Sequence, residues 1–231
     1  MPLLVILSLP YGLVTRARNF LYDLKLLPVR ALALPSVCVG NLTVGGTGKT
    51  PTVAWIAARF AARGRSVAVL RRGYRRGKGE GPSDESTELM KQLPAGVSVI
   101  EDPDRVRGAR TAAERGAEVL VLDDGFQHRR AARDLDVVLV DAVDPFGGGH
   151  VLPWGLLRES VQGLARAGVV MVTRTDAVDS DSLARLEREI GRLHPDAPIV
   201  RAVHAPRRLT DAATGESVGL RRLLGKPVRA L

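Results

Sequence analysis

Cysteine, aromatic residues and long apolar runs are scarce in this chain, and each shortage narrows what it can be. Cys38 is the lone cysteine among 231 residues. No intrachain disulfide is possible, and the usage is that expected of a reducing compartment. Cys38 lies in an apolar run, where a small core residue is expected rather than a nucleophile. Aromatic residues make up 4% of the chain, too few for the stacking platforms that hold single-stranded nucleic acid. Zinc-ligand spacings, helix-turn-helix patterns and RNA-binding signatures are also missing, so no nucleic-acid partner is expected. Residues 1–14 carry no charged side chain, but at about 1.5 Å per helical residue they fall short of a hydrocarbon core about 30 Å thick. Pro10 and Gly12 interrupt them. The basic region and small-residue cleavage site of a signal peptide are lacking too.

Positive charge is plentiful. The net charge is +9, carried mostly by arginine. It suits an anionic partner such as phosphates or a membrane surface, and fits equally a general preference for arginine. With 45% hydrophobic residues, the chain is expected to fold as one large globular domain, or one domain plus a fragment.

The pattern is organised around residues 39–51, VGNLTVGGTGKTP. An apolar run at 36–39 reads as a strand and residues 53–62 read as a helix. Between them, Thr43, Val44, Gly45, Gly46, Thr47 and Gly48 form a loop ending in Lys49 and Thr50. Strand, glycine-rich loop, Lys-Thr and helix is the order that binds a nucleoside triphosphate. Loop N–H groups face phosphate oxygens, Lys49 reaches the β- and γ-phosphates, and the Thr50 hydroxyl serves Mg²⁺. Thr43 stands where the motif usually has its first glycine. A plain glycine-rich turn is the alternative, and the flanking strand and helix argue against it.

Further apolar runs at 67–70, 97–100, 119–122, 137–140, 169–172 and 199–203 alternate with helical patterns at 84–93, 104–115, 157–165 and 182–193. That alternation predicts an α/β fold, a mostly parallel sheet with helices on both faces and functional groups at the carboxyl ends of its strands. The run at 119–122 ends in Asp123 and Asp124, followed by Gln127 and His128. A strand ending in aspartate after such a loop supplies the carboxylate half of a phosphate–Mg²⁺ site. His128 contacts phosphate or substrate, or is simply satisfied by backbone. Arg72 sits in a cationic loop after the second run, suited to phosphate or merely solvated. Asp84 and Glu85 precede a helix, where Asp84 is either a functional carboxylate or a cap. Residues 141–159 form a long stretch of the kind that is usually functional. Residues 173–176, Thr-Arg-Thr-Asp, lie where some nucleotide-binding folds read the base. At the N-terminus, Leu13, Ala17, Phe20, Leu21, Leu24 and Leu27 recur at helical spacing beside Arg16 and Lys25. They form either a segment lying in a membrane interface or a helix packed on the domain.

Taken together, VGNLTVGGTGKTP at 39–51, RRGYRR at 71–76, DPDRV at 102–106, LVLDDGFQHRRAARDLDVVLVDA at 120–142 and LPWGLLRES at 152–160 resemble the tetraacyldisaccharide 4'-kinases, the lipid A kinases of Gram-negative bacteria. The resemblance implies a P-loop NTPase-like fold and transfer of the γ-phosphoryl of ATP to the 4'-hydroxyl of a tetraacyldisaccharide 1-phosphate. By it, residues 43–50 cradle ATP. Thr50, Asp123 and Asp124 serve Mg²⁺, and Asp84 is the base beside Glu85. Arg72 and Arg158 neutralise charge, while Gln127 and His128 line the site. It also implies a membrane-associated N-terminal helix over 1–30 and a kinase domain over 31–205. The enzyme would then be peripheral or monotopic at the cytoplasmic face of the inner membrane. Residues 206–231 would begin a second lobe, which in the family continues and carries an aspartate-histidine-histidine motif. The chain is therefore expected to be truncated at Leu231. The rival readings are a nucleotide switch of GTPase or partitioning-ATPase type, and an inactive remnant.

Overall fold

The computed structural model describes residues 2–73, 84–205, 209–211, 214–219 and 221. The strands of its main sheet are β1 (Ser36–Asn41), β2 (Val67–Arg71), β3 (Ser98–Glu101), β4 (Val119–Asp123), β5 (Leu135–Asp141), β6 (Val169–Thr173) and β7 (Ile199–Arg201). All run parallel in one 7-stranded sheet of order β3-β2-β4-β1-β5-β6-β7. The chain leaves β1 toward one edge, returns to β4, then crosses to β5 on the other side. β1 is thus the point where the strand order reverses, and the crevice at its carboxyl end is where such sheets bind ligands. Register brings the two halves of the predicted site there, because Val39 of β1 pairs with Asp123, the last residue of β4.

Strand parity explains how both faces are covered, since alternate side chains point to opposite sides of a sheet. Odd-numbered Val39, Val69, Val121 and Leu139 form one buried layer with Val53 and Ala57 of α2 (Lys49–Ala61) and Leu89 of α3 (Asp84–Gln92). Even-numbered Cys38, Leu70, Leu120 and Leu122 pack on Ala109 and Ala112 of α4 (Arg105–Glu114). Val138, Val140, Val170 and Val172 pack on Leu183, Leu186 and Ile190 of α5 (Ser180–Leu193). Gly108 allows α4 to sit close, for a Cβ there would lie 2.5 Å from Leu70 Cδ1. Cys38 is fully buried, and burial drives its thiol pKa well up, as befits a core residue.

Two local expectations fail. Residues 157–165 form no α-helix. Leu157 instead bridges Thr43 and Val151 and is 1% exposed, and a 3₁₀ turn follows at Val161–Arg166. The apolar spacing there fills the core under the phosphate loop, and the backbone is bonded to that loop: Val44 N–H donates to Leu156 O at 2.8 Å and Arg158 N–H to Leu42 O at 2.8 Å. The N-terminus, in turn, is one continuous helix, α1 (Pro2–Asp23), running through Pro10 and Gly12 rather than an interrupted leader joined to a helix.

That helix is mounted with its apolar side outward. Ser8, Gly12 and Thr15 are buried against the domain. Ile6, Leu9, Leu13 and Phe20 are 60–69% exposed on the opposite side. Among the described residues no helix is long and apolar enough to cross a membrane. Within residues 206–231, Leu209–Thr210 pairs antiparallel with Ser217–Val218; most of the expected second lobe lies outside the described residues.

Candidate functional site

The loop after β1 is shaped by glycines in backbone conformations that side chains disfavour. Gly45 has φ 114° and Gly48, the N-cap of α2, has φ 86°. Added Cβ atoms at Gly45 and Gly46 would meet nothing within 4 Å, so the loop faces open space. No side chain caps α2, leaving its leading N–H groups and the positive end of its dipole for an anion. Thr43 is buried beside Asn41, and the Thr173 hydroxyl of β6 pins the loop by donating to Thr47 O at 3.1 Å. Lys49 folds back along the loop: its Nζ donates to Asn41 Oδ1 at 3.1 Å and stands 3.9 Å from Asp124 Oδ1. Thr47 Oγ1 is buried with no partner among the described residues. An uncapped helix start, an orphaned hydroxyl and a lysine on one open loop fit a triphosphate.

Asp123 and Asp124 close β4 from the adjacent position. Asp123 is 4% exposed and accepts from Arg71 Nε at 2.8 Å. Burial raises its carboxyl pKa, outweighing the opposing pull of Arg71. Arg105 is buried behind it, donating to Asp102 O at 2.7 Å, and burial draws its guanidinium below the ordinary arginine value. Asp124 adopts φ 55°, a left-handed conformation that Asp tolerates better than most residues. Its carboxylate accepts from Arg158 Nη1 at 2.7 and 2.9 Å. No group of three or more His, Cys, Asp or Glu clusters among the described residues. Two carboxylates and the Thr50 hydroxyl, all hard oxygen donors, still fit Mg²⁺, which commonly takes only one or two protein carboxylates beside phosphate oxygens and water.

The structure therefore joins Lys49, Asp123, Asp124 and Arg158 at one crevice. Gln127 belongs to its wall, donating through Nε2 to Asn41 O at 2.9 Å and Glu159 Oε1 at 3.0 Å. No hydrogen bond ties the His128 ring to this group. His128 Nε2 is buried without a partner among the described residues, and burial, then Arg105 and Arg133, lowers its pKa. Arg72 is exposed, and the neighbouring Arg71 makes the contact to Asp123. Arg174 pairs with Asp141 and Asp176 is exposed. The backbone of Asp84 and Glu85 opens α3, and their side chains lie outside the described residues.

Sequence reasoning missed Glu159, Asn41 and Asn19, and it placed Arg71 in the cationic run 71–76 without its contact to Asp123. Glu159 is wholly buried and accepts from Asn19, Gln127 and Arg166. Its one signal was its place next to Arg158 in the long 141–159 stretch. That stretch is ordered by its own backbone bonds and by the stacked rings of His150 and Trp154, 3.4 Å apart.

Comparison with known proteins agrees with this geometry. The sequence model of the tetraacyldisaccharide-1-P 4'-kinase family matches residues 1–227. A tetraacyldisaccharide 4'-kinase of Anaeromyxobacter dehalogenans (strain 2CP-C) is 43% identical over 99% of this chain and 64% of its own length. One from Elusimicrobium minutum is 36% identical over 96% of this chain and 64% of its own length. The crystal structure of the "apo" form of LpxK from Aquifex aeolicus in complex with ATP superposes with a TM-score of 0.76 at 30% identity, covering 97% of this chain and 71% of that one. The chain thus spans about 64% of the length of these curated relatives.

Proposed function

Because the chain belongs to the tetraacyldisaccharide-1-P 4'-kinase family, we propose that it acts in transfer of the γ-phosphoryl of ATP to the 4'-hydroxyl of a tetraacyldisaccharide 1-phosphate, the 4'-kinase step of lipid A biosynthesis. The observation that carries this reading is the open, uncapped loop at residues 43–50 set beside Asp123 and Asp124 at the carboxyl ends of β1 and β4. Residues 43–48 cradle the triphosphate with backbone N–H groups, and Lys49 and Arg158 meet its charge. Thr50, Asp123 and Asp124 would hold Mg²⁺, which when bound would neutralise phosphate charge. Asp84 accepts the proton of the sugar hydroxyl as its oxygen bonds to the γ-phosphorus and the bond to the ADP oxygen breaks. Glu85, Arg72 and His128 are assigned to the substrate side, and Gln127 to the wall between it and the loop.

The outward apolar side of α1 supports the second half of the reading. Monomeric soluble proteins seldom expose so many large apolar side chains together. A helix with such a side and flanking arginines settles in a lipid interface. We assign α1 to the cytoplasmic face of the inner membrane, as a peripheral or monotopic attachment that brings the site to its lipid substrate.

The test is Mg²⁺-ATP turnover with and without tetraacyldisaccharide 1-phosphate, with phosphorus NMR of the lipid. Lipid-dependent ADP release and a new 4'-phosphomonoester are expected. Turnover indifferent to the lipid would overturn the kinase reading in favour of a nucleotide switch.

A further inference from the structure

Two polar side chains of α1 reach into the wall of the phosphate site. The Tyr11 hydroxyl donates to the Arg158 carbonyl at 2.9 Å, and Asn19 Nδ2 donates to Glu159 Oε2 at 2.5 Å. Arg129 braces the turn that carries Asn19, donating to Asn19 O at 2.8 Å and to Asp23 Oδ1 at 2.6 Å. Glu159 has no exposed surface, so its carboxylate depends on its donors. These are Asn19, Gln127 at 3.0 Å and Arg166 Nη2 at 2.9 Å to each oxygen. Removing one partner of a buried charge is costly, because the remaining lone pairs have no water to turn to.

From Glu159 the contacts run into the loop. Gln127 Nε2 donates both to Glu159 and to Asn41 O at 2.9 Å, which commits both of its hydrogens. Asn41 Oδ1 accepts from Lys49 Nζ at 3.1 Å. Beside this chain, Arg158, whose carbonyl Tyr11 holds, grips Asp124. A helix serving only as an anchor needs none of these bonds, and small-residue packing at Ser8, Gly12 and Thr15 would suffice.

We infer that α1 is a positioning element of the phosphate site: Asn19, acting through Glu159 and Gln127, fixes the Asn41 that receives Lys49, and Tyr11 fixes Arg158 against Asp124. The inference rests on the reading of residues 43–50 as an ATP site. It makes the seating of the helix that faces the lipid and the affinity for nucleotide two ends of one coupling.

The experiment is titration of the 231-residue chain with a fluorescent ATP analogue and Mg²⁺. Asn19→Leu, close in size but with no donor, is expected to weaken binding roughly three- to ten-fold. Asn19→His, whose Nδ1 can take the place of the amide nitrogen, is expected to recover most of it. In a Gln127→Ala background, Asn19→Leu should add no further loss, since both act along one chain of contacts. Additive losses, or wild-type affinity in folded Asn19→Leu, overturn the inference. Tyr11→Phe removes a hydroxyl alone and carries the test if Asn19→Leu does not fold; unchanged affinity there overturns it as well. Failure of the wild-type chain to bind Mg²⁺-ATP would instead sink the ATP-site reading, and this inference with it.

Discussion

Replacing Leu9 and Leu13 together by glutamine should release the protein from anionic vesicles without disturbing its fold. The two leucines are four residues apart on one side of α1 and are 68% and 69% exposed. Full burial of a leucine is worth about 1.5–3 kcal/mol, so inserting the exposed two-thirds of each contributes about 1–2 kcal/mol. Losing both removes about 2–4 kcal/mol, a fall in partition coefficient of roughly 30- to 1000-fold. Glutamine adds no charge, so attraction of Arg16 and its neighbours to the surface is unchanged and the apolar part is isolated. Deleting residues 1–27 would be a poorer test, because it also strips Asn19 from the buried Glu159. The assay is flotation with phosphatidylglycerol-containing vesicles at low and high salt. Wild type should float at both, more weakly at high salt, because charge is screened and apolar burial is not. The double variant should stay at the bottom, with a melting temperature within a degree or two of wild type. Equal flotation of the two proteins, or none by the wild type, would refute an interfacial role for this side of the helix.

The remaining predictions concern the crevice. Lys49→Ala should weaken Mg²⁺-ATP binding roughly 10- to 100-fold, as loss of a charge-assisted contact to phosphate implies, with the far-ultraviolet dichroism unchanged; equal affinity by calorimetry would show that residues 43–50 are not the phosphate loop. Asp123→Asn should depress phosphoryl transfer and its Mg²⁺ dependence far more than ATP binding, and an unaltered Mg²⁺ titration would remove Asp123 from the metal site. His128, its pKa lowered chiefly by burial, favours the folded state fully only above its ordinary value near 6.5. Below that pH the unfolded chain takes up a proton the folded chain declines, so stability falls until the folded pKa is passed. Melting curves from pH 7.5 to 5.5 should therefore slope less for His128→Gln than for wild type, and parallel slopes would contradict a buried, neutral His128.

The sheet and the phosphate loop were legible because their signals are local. Continuous runs of valine and leucine such as 119–122 and 137–140, bounded by turn residues, are the pattern of strands buried on both faces. Glycines at 45 and 48 mark backbone conformations that other residues resist. The place of Asp123, at the end of a strand beside that loop, followed from the strand-end rule and the loop together. The partners of these groups were not legible, since they are chosen across the fold. Nothing in the sequence distinguishes Arg71, in contact with Asp123, from the exposed Arg72; the strand's last step decides it. Glu159 is a charged residue in a loop, ordinarily expected in water, and only the arrival of Asn19, Gln127 and Arg166 allows its burial.

The same limit accounts for the element misjudged from periodicity and for the orientation of α1. Apolar spacing at 157–165 was compatible with a helix, but the backbone groups of Leu156 and Arg158 are claimed by Val44 and Leu42. A segment whose N–H and C=O groups bond elsewhere cannot close helical turns, whatever its side-chain pattern. For α1 the period was right and the orientation was open. The stripe Leu9, Leu13 and Phe20 could have faced the core; it faces outward because the domain meets the helix through Gly12, where a Cβ would stand 3.2 Å from Val151 Cγ2, and through Tyr11, Thr15 and Asn19. Small and hydrogen-bonding residues thus take the protein side, and the large apolar ones are left for another surface. Two of the side chains that dock α1, Tyr11 and Asn19, are therefore the ones bonded to the wall of the phosphate site. For that reason a substitution at either should change nucleotide affinity, while one on the outer face should change only vesicle binding.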